Sequence, residues 1–394
     1  MAAADNRYMA TAPTLFSLTI QQEQVRPKTV RAHFAFLDGI RGVLALAVVF
    51  SHSTNLTTGM AAPAPDWMRL LQALGAFGVP GFIFLSGFCL GLPTIKLGFK
   101  LSSFPNFLRR RAYRIFPAYY MALVCAVIVA TYFTHTFPKN WLTAPNPNIT
   151  GPLLLIQDAY GSAPYDGPLW SMAPELHIYL CFPLILWLFR NWEAGKAAIT
   201  WVIMGCIAQH FAEIWGCRSL SFYLYGIFAV GVYAAWHLVS GLMLPSVDNL
   251  KKMSAGACFL FAALTLEVGY RHFWDMLPVL SVLECLVLLP VFGLLFQHPL
   301  GSLRKFLESP LMQFLGKVSY SLYLTHWIVL SLILMLFPAS WPVYLRCAVG
   351  LLFGIPASVL FAALFYRLFE HPYLSERRNI SNRDIPSINP AIAP

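Results

Sequence analysis

Residues 36–53 read FLDGIRGVLALAVVFSHS, and this stretch decides the fold class. No charged side chain lies between Arg41 and His52, and the run approaches the ~20 apolar residues that cross a bilayer core. Backbone polar groups in lipid must bond within their own segment, which favours a helix. We therefore predict a transmembrane helix over this stretch.

Nine further apolar runs follow the first. Hydrophobic residues make up 58% of the 394-residue chain and charged residues only 11%, against about 25% in soluble proteins. The composition therefore predicts an all-α integral membrane protein, a bundle of about ten transmembrane helices over residues 34–374. The polar tail 1–33 is predicted to be disordered, as is the part of the tail 375–394 that follows Ser381. The further runs are 74–92, 116–134, 172–189, 197–212, 220–239, 254–269, 278–296, 318–337 and 346–366. With 36–53 counted as the first helix, the fifth (197–212) and the seventh (254–269) are the shortest.

Basic residues are divided unevenly between the two sets of loops. All but five of the 27 Lys and Arg residues fall on the side that holds both termini. The positive-inside rule then places both tails in the cytoplasm and the chain in the inner membrane as a multi-pass protein. The same rule accounts for the net charge of +10, so no nucleic-acid partner is expected. The five exceptions are Arg69, Lys139, Arg218, Arg271 and Arg346.

The eight cysteines do not form a recognisable ligand or disulfide pattern. None belongs to a CxxC pair, and most lie within apolar runs, where cysteine behaves as a small hydrophobic residue. We predict neither a disulfide framework nor a metal site. No cleavable signal peptide is visible, so the first helix is expected to direct insertion. The sequence does not indicate an oligomeric state.

Arg41 and His52 are the first candidates for chemistry. Their spacing places His52 about 16 Å deeper along a helix than Arg41. A neutral imidazole can be buried at small cost and can take a proton from a hydroxyl group. The alternative is a structural histidine that a neighbouring helix satisfies with a hydrogen bond.

Arg111 and Arg114 lie three residues apart and share a helix face. Guanidinium groups bind phosphate through paired hydrogen bonds, and coenzyme A carries three phosphates. The alternative is anchoring to lipid headgroups by the positive-inside rule. Residues 93–115, in which basic and phenylalanine side chains alternate, are predicted to form a separate interfacial helix on the cytoplasmic face.

Glu175 stands within the apolar part of the run 172–189. A buried carboxyl group is either paired or protonated, so this one could orient an imidazole or bind an acceptor hydroxyl. The alternative is a structural lock with an arginine or with backbone groups. His177 points elsewhere on the same helix and is expected to be an interface histidine.

The segment 315–326 reads LGKVSYSLYLTH and holds a second buried histidine. Gly316 and Ser319 are small enough to let two helices pack closely. His326 lies roughly 13–15 Å from the cytoplasmic end, a depth similar to that of His52. Its alternative role is packing. Glu370, at the end of the last run, is expected to pair with an arginine.

Six motifs follow one another along the chain: Leu37–Arg41 running to His52, Gly81–Phe88, Arg111–Pro117, Trp170–Glu175, Leu315–His326 and Glu370–Pro372. In this order they resemble the acyltransferase-3 family of membrane O-acyltransferases, over about residues 34–374. The resemblance implies ten helices, a coenzyme A thioester donor on the cytoplasmic side, and a hydroxyl acceptor that is commonly a sugar. It also implies that His52 is catalytic and Arg41 required. Met172 and His177-Ile178 depart from the family pattern, which bears more on the acceptor than on the class.

The resemblance implies an O-acyltransferase of the stand-alone type, without an SGNH domain. Its expected partners are acyl-CoA, most simply acetyl-CoA, a carbohydrate acceptor and the lipid bilayer. A macrolide-type acceptor is the alternative, and a secondary transporter that uses the buried ionisable groups is the alternative from another class. Whether transfer is direct or passes through an acyl-enzyme stays open. We assign catalysis to His52, Glu175 and Arg41 and donor binding to Arg111, Arg114, Ser319, Tyr320 and His326.

Overall fold

The computed structural model describes residues 34–58, 75–134, 149–159, 167–242, 244–338 and 340–374. Almost all of these residues are helical, and none of them forms a strand. Short 3-10 turns precede three of the helices, at Gly75–Phe77, Gly167–Ser171 and Arg218–Leu220. The helices are α1 (Ala35–Thr58), α2 (Gly78–Ile95), α3 (Phe104–Thr134), α4 (Thr150–Leu154), α5 (Met172–Asn191), α6 (Ala194–Ile214), α7 (Tyr223–Val239), α8 (Val247–Gly269), α9 (His272–Gln297), α10 (Ser302–Leu307), α11 (Pro310–Met335) and α12 (Val343–Leu374).

Nine of the helices in the described ranges are long and apolar enough to cross a membrane. The predicted all-α membrane bundle is confirmed. The tenth apolar helix, α7, has 17 residues, so the sixth helix of the series is the short one rather than the fifth or seventh. It packs against α2 on one side and α6 on the other, so protein surrounds much of it.

Helix α11 lies at the centre of the bundle, and most of its side chains are buried. It packs along α1 on one side and along α12 on another. The backbones of α1 and α11 approach most closely where a Cβ atom on Gly316 would overlap the carbonyl group of Asp38. This confirms the prediction that Gly316 permits close packing, and the approach fixes how the two helices face each other.

The arginine-rich segment differs from its predicted form. Residues 104–115 are not a separate interfacial helix, because they form the first turns of α3, which continues through Pro117. Proline removes one backbone hydrogen bond, but the flanking side chains Phe107, Ile115 and Tyr119 are buried in the bundle. Tertiary packing therefore carries the helix across the proline, and Arg111 and Arg114 belong to a spanning helix.

Part of the predicted outer loop 135–169 packs against the bundle. The hydroxyl groups of Tyr119 and Tyr120 on α3 each donate a hydrogen bond of 2.8 Å to a carbonyl of α4. The side-chain amide of Gln157 donates to the Leu169 carbonyl at 2.9 Å, which joins α4 to the turn before α5. Residues 135–148 and 160–166 of this loop, and both predicted tails, lie outside the described residues.

Candidate active site

Two histidines from different helices meet inside the bundle. Nδ1 of His52 on α1 lies 2.8 Å from Nε2 of His326 on α11. Nδ1 of His326 lies in turn 2.9 Å from the carbonyl oxygen of Leu322, one helical turn earlier. His326 is fully buried, whereas His52 is only partly buried.

The hydrogen bonds assign the proton positions of two neutral rings. A carbonyl oxygen only accepts, so Nδ1 of His326 carries the proton that bonds to Leu322. Its Nε2 is then unprotonated and accepts from the Nδ1–H of His52. The Nε2 atom of His52 keeps its lone pair, and in the described residues no other hydrogen bond occupies it. His52 therefore presents an unprotonated ring nitrogen that can accept a hydrogen bond.

Aromatic rings enclose this pair. The two imidazoles are nearly parallel, with centroids 5.1 Å apart, and the indole of Trp327 meets His52 edge-on at 5.0 Å. The backbone of Gly167 lies against Trp327, since a Cβ atom there would be 3.4 Å from the indole. The turn that precedes α5 thus covers Trp327, which packs against His52.

A cavity of about 290 Å³ lies in the bundle beside the histidine pair. Helices α1, α2, α3, α5 and α11 contribute its walls. Six of the residues assigned from the sequence line it together, namely Arg41, Arg111, Arg114, Glu175, Ser319 and Tyr320. His326, which was assigned to donor binding, is not among the described lining residues, and its ring forms a hydrogen bond with that of His52.

Three guanidinium groups give the cavity a positive character. Arg41 pairs with Asp38 at 2.6 Å and approaches the Cys89 sulfur at 3.4 Å. Arg111 packs against the rings of Phe107 and Tyr179, and its Nε has no hydrogen-bond partner among the described residues. The described lining residues include three guanidinium groups and one carboxylate, and Asp38 offsets the charge of Arg41, so a net positive charge remains that suits an anion.

Glu175 is held by a short chain of hydroxyl groups. The Tyr179 hydroxyl donates to Glu175, and Ser86 Oγ lies 3.0 Å from the Tyr179 oxygen. Because the tyrosine proton is used on Glu175, Ser86 is the donor of the second bond. No hydrogen bond joins Glu175 to His52 in the described part of the chain. The group that orients His52 is His326.

Tyr323 is fixed between the cavity and the histidines. Its hydroxyl donates a hydrogen bond of 2.9 Å to the Pro168 carbonyl. Ser171 Oγ lies 2.7 Å from the Tyr323 hydroxyl oxygen. Its ring lies 6.1 Å from that of His326. Sequence reasoning did not select Tyr323 or Tyr179. The available signal was the spacing. Tyr323 lies three residues before His326 and Tyr179 lies four residues after Glu175, which puts each pair on one helix face.

Three other candidates have structural partners. Glu370 accepts a hydrogen bond of 2.6 Å from Ser321, and its carboxyl group also interacts electrostatically with Arg114. Tyr320 donates to the Ile115 carbonyl at 3.0 Å, which joins α11 to α3. His177 faces Asp158 at 3.3 Å, away from the cavity. Among the described residues, no group of three or more His, Cys, Asp or Glu is arranged to hold a metal ion.

These features define a multi-pass helical membrane protein with an internal, arginine-rich cavity next to a hydrogen-bonded pair of histidines. The chain belongs to the acyltransferase-3 family, since the acyltransferase domain of that family matches residues 34–367.

Several curated proteins are similar to the chain at low identity. The peptidoglycan O-acetyltransferase OatA of Listeria monocytogenes is 23% identical over 87% of this chain and 56% of its own length. Nodulation protein 10 of Rhizobium leguminosarum is 25% identical over 88% of this chain and 95% of its own length. Acyltransferase MdmB of Streptomyces mycarofaciens is 24% identical over 77% of this chain and 80% of its own length. The chain thus spans about half the length of the peptidoglycan enzyme. No solved structure matches it significantly.

Proposed function

We propose that the protein is a membrane O-acyltransferase that moves an acetyl group from acetyl-CoA to a hydroxyl group of a carbohydrate. The observation that carries the proposal is the hydrogen-bonded series from the Leu322 carbonyl through His326 to His52. It leaves one unprotonated ring nitrogen inside the bundle, which is what removal of a hydroxyl proton requires.

The cationic cavity supports acyl-CoA as the donor. The phosphates of coenzyme A would bind Arg111 and Arg114, whose planar groups offer paired donors to phosphate oxygens. Arg41, Ser319 and Tyr320 line the same cavity and would bind the polar part of the arm. With both termini in the cytoplasm, the arginine end opens toward the compartment that contains acyl-CoA.

In the proposed reaction, His52 Nε2 takes the proton of the acceptor hydroxyl as its oxygen attacks the thioester carbonyl. The new C–O bond forms, the C–S bond breaks, and the imidazolium returns the proton to the leaving sulfur. The products are the ester and free coenzyme A. His326 holds the His52 ring in the tautomer that this step needs. Glu175 is held in place by the hydrogen bond from Tyr179 and fixes the part of the cavity wall along which the donor lies.

The name of the Listeria relative, a peptidoglycan O-acetyltransferase, supports a carbohydrate acceptor for this chain. The test uses purified protein, acetyl-CoA and soluble peptidoglycan fragments, with release of the coenzyme A thiol and formation of acetyl ester both measured. Transfer that is lost in His52→Ala and retained in His177→Ala would support the proposal. Acetyl ester formation by His52→Ala at the wild-type rate would overturn it.

A further inference from the structure

The cavity and the histidine pair are separated by two aromatic rings. Phe82 and Tyr323 both line the cavity, whereas neither His52 nor His326 is among its described lining residues. The rings of Phe82 and Tyr323 are 6.1 Å apart and inclined at 69°. A donor that extends along the cavity therefore meets this pair of rings before it meets His52.

The two rings are held in different ways. Tyr323 is buried and bonded through its hydroxyl to Pro168 and Ser171, so it is a fixed part of the wall. Phe82 has no polar atom in its side chain and is only partly buried. It packs against the apolar cluster that includes Val49 and Trp327, and the Trp327 indole meets the His52 ring edge-on. Apolar packing alone holds Phe82, so it is the ring that can turn aside.

The position of Phe82 along α2 matches the acyl end of a bound donor. The α2 residues that line the cavity run from Val79 to Leu90, about 16 Å of helix. Cys89, near Arg41, lies toward the arginine end, and Phe82 lies two helical turns further along. If the phosphates bind the arginines, the pantetheine arm follows α2 past Ser86 and presents the acyl group to Phe82.

We propose that Phe82 determines the length of the acyl group that this protein accepts, and that its ring must turn aside for the thioester to reach His52. The inference rests on the proposed function. A short acyl group fits in front of the ring, whereas a longer chain meets Phe82 and the fixed Tyr323. Loss of the Phe82 ring removes the adjustable half of this wall and makes room for further methylene groups.

The test is calorimetric titration of the purified full-length protein with coenzyme A, acetyl-CoA and hexanoyl-CoA, which needs no acceptor. In Phe82→Ala the affinity for hexanoyl-CoA relative to acetyl-CoA should rise at least about tenfold, the scale of one or more added methylene contacts in a pocket. Phe84→Ala is the matched control, because Phe84 is on the same helix but faces Phe292 on α9. Its ratio should equal that of the wild type.

An unchanged ratio in folded Phe82→Ala overturns the inference. Should that variant not fold, Phe82→Trp tests the same point in the opposite direction. Its affinity for hexanoyl-CoA should fall by a larger factor than its affinity for acetyl-CoA, and equal losses overturn the inference. Failure of the proposed donor has a different signature, since the wild type would then bind neither coenzyme A nor acetyl-CoA.

Discussion

Nδ1 of His52 and Nε2 of His326 lie 2.8 Å apart although 274 residues separate them in the chain. In the familiar catalytic triads a carboxylate orients the histidine base. Beside His52 a second neutral imidazole occupies the place that the carboxylate has in those triads, which avoids burying a charge in the interior of a membrane protein. The partner ring is itself fixed by the Leu322 carbonyl.

Replacement of His52 should abolish most of the activity. His52→Ala removes the proposed base and should lower turnover by at least about 100-fold. The measurement is coenzyme A release by protein that is still inserted in the membrane. His177→Ala is the control, because His177 faces Asp158 away from the cavity, and it should keep near wild-type turnover. Equal turnover of the two variants would contradict the assignment.

Variants of His326 should separate positioning from simple packing. His326→Leu leaves the His52 Nδ1–H without its acceptor, and turnover should fall by about 10- to 100-fold, as for other residues that orient a functional histidine. His326→Gln retains an oxygen that can accept this hydrogen bond and should recover part of the loss. Equal activities of the Leu and Gln variants, with equal melting temperatures, would mean that His326 only packs.

Arg114→Lys should weaken binding of the acyl-CoA donor although the positive charge is kept. Lysine cannot reproduce the paired hydrogen bonds of a guanidinium group on phosphate. We expect a raised KM for acyl-CoA with a smaller change in kcat, the pattern of lost ground-state binding. Lipid anchoring predicts instead a lower membrane yield and an unchanged KM. A change in the acceptor KM alone would mean that the two ends of the site are reversed.

A methyl group on Gly316 should destabilise the bundle. The added Cβ would overlap the Asp38 carbonyl, so α1 and α11 must move apart, at a cost of about 1–3 kcal/mol. Gly316→Ala should therefore lower Tm in detergent. Gly256→Ala is the matched control on α8, where a Cβ atom meets nothing within 4 Å and alanine favours the helix. A drop in Tm of the same size in both variants would refute the packing argument.

Both termini should face the cytoplasm. The reason is the uneven division of basic residues, with 27 in all and only five on the opposite side. An alkaline phosphatase fusion after Leu374 should be inactive, and a fluorescent-protein fusion at the same place should be bright. An active phosphatase would show that the C-terminal tail lies outside the cytoplasm and would contradict the predicted topology.

The sequence indicated the spans and most of the cavity because both depend on local properties. Apolar runs locate helices, and a charged group inside such a run is costly enough to suggest a function. The depth of His52 and His326 could be estimated from helix rise, but their contact could not. It depends on the register of α1 against α11, which the approach of Gly316 to Asp38 sets.

Two features have the same long-range origin. A separate interfacial helix was predicted over residues 93–115, yet packing of the side chains that flank Pro117 carries α3 through this proline. The hydrogen bond from Ser321 to Glu370 depends on the packing of α12 against α11. Neither arrangement has a signature within a few residues of the position concerned.

Helix α8 is the least protected element of the bundle, since almost none of its side chains is buried. Phe259, for example, is 77% exposed, while Phe261 packs against Phe77 with ring centroids 4.8 Å apart. Lipid solvation rather than protein contact therefore holds most of this helix. Extraction into detergent removes that support, so we expect its amides to exchange with deuterium first. Exchange in α8 would then precede the loss of the contact between α1 and α11, so this helix would open while the rest of the bundle is still folded.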